Sequence, residues 1–244
     1  MPSYQTNAIV IGRTNFGEAD RIIRVITPDH GKLSAIAKGV RRIKSRSGGH
    51  LELLSDVALT LTKGRNLDVV TSARLAWYPH SLAGNYERLG LAFMTAGMVD
   101  RLVEENQPQT DIYNLTAEML HLLEAGRGGK LPELWFKLRL LQLLGYRPEL
   151  GACLACGQSS ATASYSFSPE RGGIVCETCR EAVATSMPHS VIKLWRILSD
   201  HPFASVTGIR GAEELATSSL SACDGFYQYH LGRTFSADPI GVQP

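Results

Sequence analysis

Apolar and polar residues follow two different periods along this chain, and the change falls near residue 79. Before it, "VALTLTKG" sets Val57, Leu59 and Leu61 on one face and Ala58, Thr60 and Thr62 on the other, the period of a half-buried strand. "KLSAIAKG" alternates more weakly, "NAIVIG" and "RIIRVIT" are β-branched runs, and "LDVVTSARL" supplies a fifth candidate. Turn chemistry separates them at Pro28-Asp29-His30-Gly31 and at Lys63-Gly64-Arg65-Asn66. Five short strands in about 75 residues predict a small closed barrel, a shape without open edges.

From Pro79 onward the period is helical. Leu82, Tyr86, Leu89 and Phe93 recur at that spacing and run on into Met94, Met98 and Leu102. Ile112, Leu115, Met119 and Leu122 make a second stripe. Leu131, Leu134, Trp135, Leu138, Leu141 and Leu144 make a third, with Pro132 near its start and Gly145 just past its end. Val191 to Leu198 and Glu213 to Leu231 add two more candidates. The stripes predict a packed helical body. The whole is an α+β chain with a barrel domain at 1–79, a helical domain at 80–149 and 181–244, and an insert rich in Ser, Ala and Gly at 150–180.

The insert holds Cys153-Leu154-Ala155-Cys156 and Cys176-Glu177-Thr178-Cys179, separated by 19 residues. Two such pairs at this distance have zinc-site spacing, because each bends as a knuckle whose two thiolates grip one side of a tetrahedral ion. Gly157 follows the first pair, where a knuckle turn favours a residue without a Cβ. Cys153, Cys156, Cys176 and Cys179 are therefore expected to bind one structural Zn²⁺, since four thiolates close the shell and leave no position for an activated water. Disulfides need an oxidising compartment, and a redox pair is usually a single Cys-x-x-Cys. Cys223, among apolar residues, is expected to be a small buried hydrophobe.

Charge is unevenly spread. The chain has 244 residues and a net charge of +2, yet residues 1–80 carry 12 Lys/Arg against six acids, and the remaining 164 carry 13 against 17. That segregation points to a polyanion-binding N-terminal region. Its centre is "AKGVRRIKSRSGG", where Lys38, Arg41, Arg42, Lys44 and Arg46 occur without an acid and a Ser/Gly stretch follows. Phosphate contacts require charge and reach more than a regular element, and the flanking glycines are expected to let the segment adapt. Arg13, Arg24 and Lys32 would extend the cationic track. Phe16, after the first strand, is a candidate for stacking on a base, though a core position is the commoner fate of such a residue.

Catalytic patterns are not found. "EAGRGGKL" fails as a phosphate loop, because Leu131 follows Gly129-Lys130 and Glu124 stands where a glycine is needed. There is no His-Glu-x-x-His and no Gly-x-Ser-x-Gly, and the seven histidines are scattered singly. A binding protein, not an enzyme, with no small-molecule substrate, is the expectation. Residues 1–7 are polar, "AIVIG" is too short for a secretion signal, and no apolar run could cross a bilayer, so a cytoplasmic location is expected with no membrane partner.

These pieces bring the chain close to a known family. "GEADRIIRVITPDHGKLSAIAKGVRRIKSR" (17–46), "LRLLQLLGYRPEL" (138–150), the two Cys pairs and "FSPERGGIVC" (167–176) resemble the RecO family of bacterial recombination mediators. The likeness runs from about residue 8 to residue 230 and is least specific between 80 and 130. It implies an N-terminal OB-fold, a central helical domain and a zinc-binding insert. It implies binding of single- and double-stranded DNA, annealing of complementary strands, and help in loading RecA onto strands coated by single-strand-binding protein, together with RecR, at the nucleoid. Few aromatics lie in the barrel region (Tyr4, Phe16, Trp77 and Tyr78), so binding should lean on charge and be salt-sensitive. Two rivals stand beside this reading. A zinc-containing transcription or RNA-binding factor would show sequence or RNA preference, and a zinc-dependent nucleic-acid hydrolase would need a non-cysteine ligand and an open coordination site.

Overall fold

The computed structural model describes residues 2–42, 45, 48–159, 165–180 and 184–237. They form two compact units, the first reaching to Arg127 and the second comprising Gly128–Ser236.

In the first unit β1 (Ser3–Phe16), β2 (Asp20–Thr27), β3 (Gly31–Ala37), β4 (Asp56–Thr62) and β5 (Asp68–Trp77) close into a barrel in the order β1-β2-β3-β5-β4. β1 closes it by pairing antiparallel with β4 over Ser3 to Ile9 and with β2 over Ile9 to Phe16. Its register shifts between Val10 and Gly12, and such a bulge bends a strand from one partner to the next. β3 and β5 pair in parallel, at Ala35↔Asp68 and Ile36↔Val69. A five-stranded closed sheet of this order is the OB-fold.

Side-chain alternation fills the interior. Val57, Leu59 and Leu61 point inward from β4, with Ile23 and Val25 of β2 and Ala8 and Val10 of β1. β3 alternates more cleanly than its sequence suggests, because the small Ala35 and Ala37 alternate with Leu33 as its inward residues. Val40 and Leu51, from the connection between β3 and β4, join the same core.

Two helices complete this unit, α1 (Tyr86–Leu102) and α2 (Thr110–Glu124). Asn85 caps α1 by accepting a hydrogen bond from the Arg88 N–H at 2.9 Å. Met94 and Met98 are buried as the spacing predicts, but Tyr86 is 81% exposed and Leu89 and Phe93 are only half-buried. The inward face runs instead through Leu91, Met94, Thr95, Met98 and Val99. This helix is apolar around most of its circumference, so spacing alone does not select a face. Specific bonds hold the helices to the barrel: Asn106 N–H donates to Lys32 O at 2.9 Å, Thr110 Oγ1 to Pro28 O at 3.0 Å, and Tyr113 OH to Asp56 Oδ1 at 3.3 Å.

The second unit contains α3 (Lys130–Leu143), α4 (His189–Asp200), α5 (Ala212–Leu231) and a small antiparallel sheet in the order β7-β6-β8. Its strands are β6 (Tyr165–Ser168), β7 (Gly173–Cys176) and β8 (Thr185–Met187). α3 is buried on nearly every side from Leu131 to Leu138. It ends where Gly145 takes a left-handed φ of 86° and donates to Gln142 O at 3.1 Å, while Tyr146 N–H donates to Leu141 O at 2.8 Å. Among the described residues no helix is long and apolar enough to cross a membrane.

Candidate nucleic-acid interface and metal centre

The basic connection leaves β3 through a fixed turn. Gly39, with φ 65°, donates its N–H to Asp20 Oδ1 at 2.7 Å, and Arg42 N–H donates to Gly39 O at 3.1 Å. Val40 is buried in the barrel core, which turns Arg41 and Arg42 outward. Arg41 N–H donates to Ala19 O at 3.0 Å and its guanidinium to Gly17 O at 3.2 Å, so this stretch lies along the β1–β2 hairpin. Lys38, Arg41 and Arg42 are exposed, and Lys38 and the Arg42 side chain have no partner among the described residues. Lys44 and Arg46 lie outside the described residues. The glycines here are less slack than expected. Gly39 is set by its turn, and a Cβ on Gly48 would stand 2.7 Å from Val40 O.

Phe16 ends β1 at the tip of that hairpin, opposite Asp20, and is 52% exposed. It is not a core aromatic. The other three expected cations are engaged with the protein itself. Arg24 Nε meets Asp100 Oδ1 at 2.8 Å and Oδ2 at 2.9 Å and its guanidinium reaches Thr14 Oγ1 at 3.2 Å, while Lys32 Nζ donates to Asp100 O at 2.7 Å. Arg13 is paired with Glu52. Two residues that the sequence pattern did not single out sit in this region, Arg21 and Glu52. The Arg21 guanidinium approaches Glu52 Oε1 at 3.3 Å. Only the cross-strand pairing of Arg21 with Asn15 identifies its face, and that needs the register of the folded hairpin.

In the second unit Cys153, Cys156, Cys176 and Cys179 come together, with their four Sγ atoms within 4.8 Å of one another. Each pair has its own support. Gly157, with φ 74°, donates to Cys153 O at 2.8 Å, Cys153 N–H donates to Gln158 O at 2.8 Å, and Leu154 N–H ties the knuckle to Ile174 O of β7 at 3.0 Å. Cys176 ends β7 and Cys179 ends the single helical turn that follows. Burial raises the Cys153 pKa, but backbone N–H groups of Cys176, Cys156 and Ala155 outweigh it and bring the thiol down to about 6. The neighbouring Cys176 and Cys156 sulfurs push Cys179 up to about 12. Four sulfurs this close cannot all ionise without a cation among them, and the group could hold a metal ion. Cys223 is fully buried, away from this chemistry, and burial raises its thiol pKa.

A polar trough of about 490 Å³ in the barrel wall is lined by Gln5, Asn7, Thr60, Ser72, Arg74 and Asp29 among others. Its groups are mostly hydroxyls and amides, without a cysteine or histidine to act as nucleophile or base.

The family model described as recombination protein O N terminal matches residues 1–78, and that described as recombination protein O C terminal matches residues 83–238. The DNA repair protein RecO of Roseiflexus sp. (strain RS-1) is 34% identical over 238 residues, which cover 97% of this chain and 82% of that protein. The protein of the same name from Bifidobacterium adolescentis is 32% identical over 238 residues, covering 96% of each. That from Rubrobacter xylanophilus is 37% identical over 220 residues, covering 88% of each.

Proposed function

The chain belongs to the recombination protein O family, and on that premise we propose that it is a non-enzymatic mediator of recombinational DNA repair. It binds single- and double-stranded DNA, anneals complementary strands, and helps to load RecA onto strands coated by single-strand-binding protein, acting with RecR in the cytoplasm. In this reading residues 1–79 bind nucleic acid, 150–180 bind zinc, and 80–149 with 181–244 supply the helices, which the fold divides between its two compact units after Arg127.

One observation carries the reading: Arg41 is bonded to the β1–β2 hairpin at Gly17, next to the exposed Phe16, and Lys38 and Arg42 are exposed on the same basic connection of an OB-fold barrel. A cationic surface with an aromatic tip can follow a phosphate backbone without reading its sequence. Lys44 and Arg46 belong to the same basic segment and are assigned to it on sequence. Arg24 is paired with the Asp100 carboxylate, and Lys32 is held by the Asp100 main-chain carbonyl, so both contribute a positive background more than direct contacts. Annealing needs no active site. Cations lower the repulsion between two polyanions, and base pairing supplies the free energy, so no nucleotide need be hydrolysed.

The metal is zinc. A tetrahedral ion with zinc–sulfur bonds of about 2.3 Å sets its ligand sulfurs about 3.8 Å apart, and the Cys156 and Cys176 sulfurs stand 3.7 Å apart. When bound, it would cross-link the first knuckle to the end of β7 through Cys153, Cys156, Cys176 and Cys179.

The test is strand annealing in the presence of single-strand-binding protein, over a salt series and without nucleotide. The expected result is faster annealing at low salt that fades as salt rises. Absence of any acceleration at low salt, or a requirement for nucleotide, refutes the reading. A marked preference for RNA or for one DNA sequence would favour the transcription or RNA-binding rival.

A further inference from the structure

Arg13 and Arg21 present their side chains to one place. Across the hairpin Arg13 stands opposite Ile23 and Asn15 opposite Arg21, and residues directly opposite in an antiparallel pair share a face. Ile23 is fully buried in the barrel core, so Arg13, Asn15 and Arg21 lie on the inward face where β1 and β2 run on past it. Glu52 reaches that face from the β3–β4 connection. Its two carboxylate oxygens are divided between the cations: Oε2 pairs with Arg13, and Oε1 lies 3.3 Å from Arg21. The two non-bridging oxygens of a phosphodiester would divide in the same way.

We propose that Arg13 and Arg21 form a phosphate subsite at the mouth of the barrel, held in the free protein by the Glu52 carboxylate as an internal stand-in for a nucleic-acid phosphate. The proposal rests on the nucleic-acid-binding reading above and adds to it a site and a resident competitor.

Three further features support exchange at this point. The Arg21 Nε is buried and has no hydrogen-bond partner among the described residues, so the carboxylate leaves one donor unused. A phosphodiester carries ester oxygens in addition to its two charged ones and can use it. The Glu52 side chain is 40% exposed, and half-exposed ion pairs are weakly held. Its backbone, by contrast, is fixed: Leu51 is fully buried, Leu54 N–H donates to Val10 O at 2.9 Å and Ser55 N–H to Glu52 O at 3.1 Å. Exchange therefore requires rotation of one side chain and no movement of the loop. The same carboxylate returns as phosphate leaves, which suits a protein that must release a strand once it has paired.

The experiment is anisotropy of a fluorescein-labelled oligothymidylate with the full chain across a salt series. Glu52→Gln should bind between about threefold and tenfold tighter than wild type at moderate salt, with the log–log salt slope steeper by about 0.7 for the extra phosphate. Glu52→Asp keeps the charge but withdraws it from both guanidinium groups, and should also bind tighter, which separates the subsite from a change in net charge. Glu18→Gln removes one charge from the same hairpin, where Glu18 has no partner among the described residues, and should give a clearly smaller gain. In an Arg13→Ala, Arg21→Ala background, which leaves Glu52 no cation of the subsite to hold, Glu52→Gln should add nothing. The subsite is overturned if neither Glu52 variant binds more tightly, if Glu18→Gln matches Glu52→Gln, or if the gain survives without both arginines. A wild-type protein that fails to bind the oligonucleotide at low salt overturns the nucleic-acid reading and the subsite together.

Discussion

Arg41 is tied to Gly17: its guanidinium donates to the Gly17 carbonyl at 3.2 Å, while its own N–H reaches Ala19 O at 3.0 Å. Two loops distant in sequence thereby become one rim. Gly17, with φ 58°, makes the sharp turn that brings the hairpin tip to the basic connection. Phe16 is thereby a neighbour of the Arg41 guanidinium, and the exposed Lys38 and Arg42 flank Arg41 on the same connection, so that charge and stacking can act on one strand.

Lys38 and Arg42 are the cleanest probes of this rim, because neither side chain has a partner among the described residues to lose. Replacing both with Ala should weaken binding of unrelated single strands alike and flatten the log–log salt slope by about 0.7 for each contact removed. The unfolding midpoint should stay within experimental error of wild type. Unchanged affinity at low and moderate salt would remove the rim from the binding surface.

Phe16 tests stacking apart from charge. Its exposure means that Phe16→Ala removes little packing. If a base rests on the ring, single-strand affinity should fall by about 1–3 kcal/mol with the salt slope unchanged, and duplex affinity should hardly move. Equal losses on both substrates would point to a distorted hairpin instead.

What the sequence revealed depended on how local each signal was. β4 was legible because Val57, Leu59 and Leu61 alternate within seven residues, and the cysteine group because both knuckles are contiguous words. β6 and β7 were hidden, since "YSFS" and "GIVC" are buried on both faces and carry no alternation. Counting charges identified Arg24 and Lys32 as cations, but Asp100 meets them from 76 and 68 residues further on. Only the packing of α1 against the barrel shows that the Arg24 charge is paired with a carboxylate and the Lys32 ammonium is tied to a main-chain carbonyl. Glu52 carries no signal in the sequence for a similar reason, as its importance lies in two arginines that register and not spacing brings to it.

The metal centre makes a prediction confined to the second unit. The purified chain should carry about one zinc, and Cys176→Ser should lose it together with much of the cooperative unfolding of the β6–β8 sheet, since Cys176 ends β7. A structural zinc shell contributes on the order of 10 kcal/mol of apparent binding free energy. Chelation should expose the four thiols to a reporter reagent and leave oligonucleotide binding by the barrel in place. Zinc content that is negligible, or that survives Cys176→Ser unchanged, would rule out this shell.

Lys137 is the most enclosed charge in the second unit. Its side chain is fully buried, with Nζ 2.8 Å from both Glu133 Oε1 and Asp224 Oδ1 and donating to Phe235 O at 3.2 Å. Lys137→Met keeps most of the side-chain volume but leaves the buried Glu133 with only the half-exposed Lys130, 3.0 Å from its Oε2, and takes the cation from Asp224, and should destabilise this unit by about 3 kcal/mol in urea unfolding. Adding Glu133→Leu should recover part of that loss, because an apolar pair can replace a buried ion pair. Burial alone would push the lysine pKa down, but the Glu133 and Asp224 carboxylates outweigh it and hold the folded value above the ordinary 10.5. The ammonium's contribution is therefore complete below the unfolded pKa and is lost as pH rises through the folded one. Wild-type stability should decline above about pH 10.5 with a component that Lys137→Met lacks. Parallel stability–pH curves for the two proteins in that range would mean that the lysine's charge is not what holds α3, α5 and the Phe235 carbonyl together.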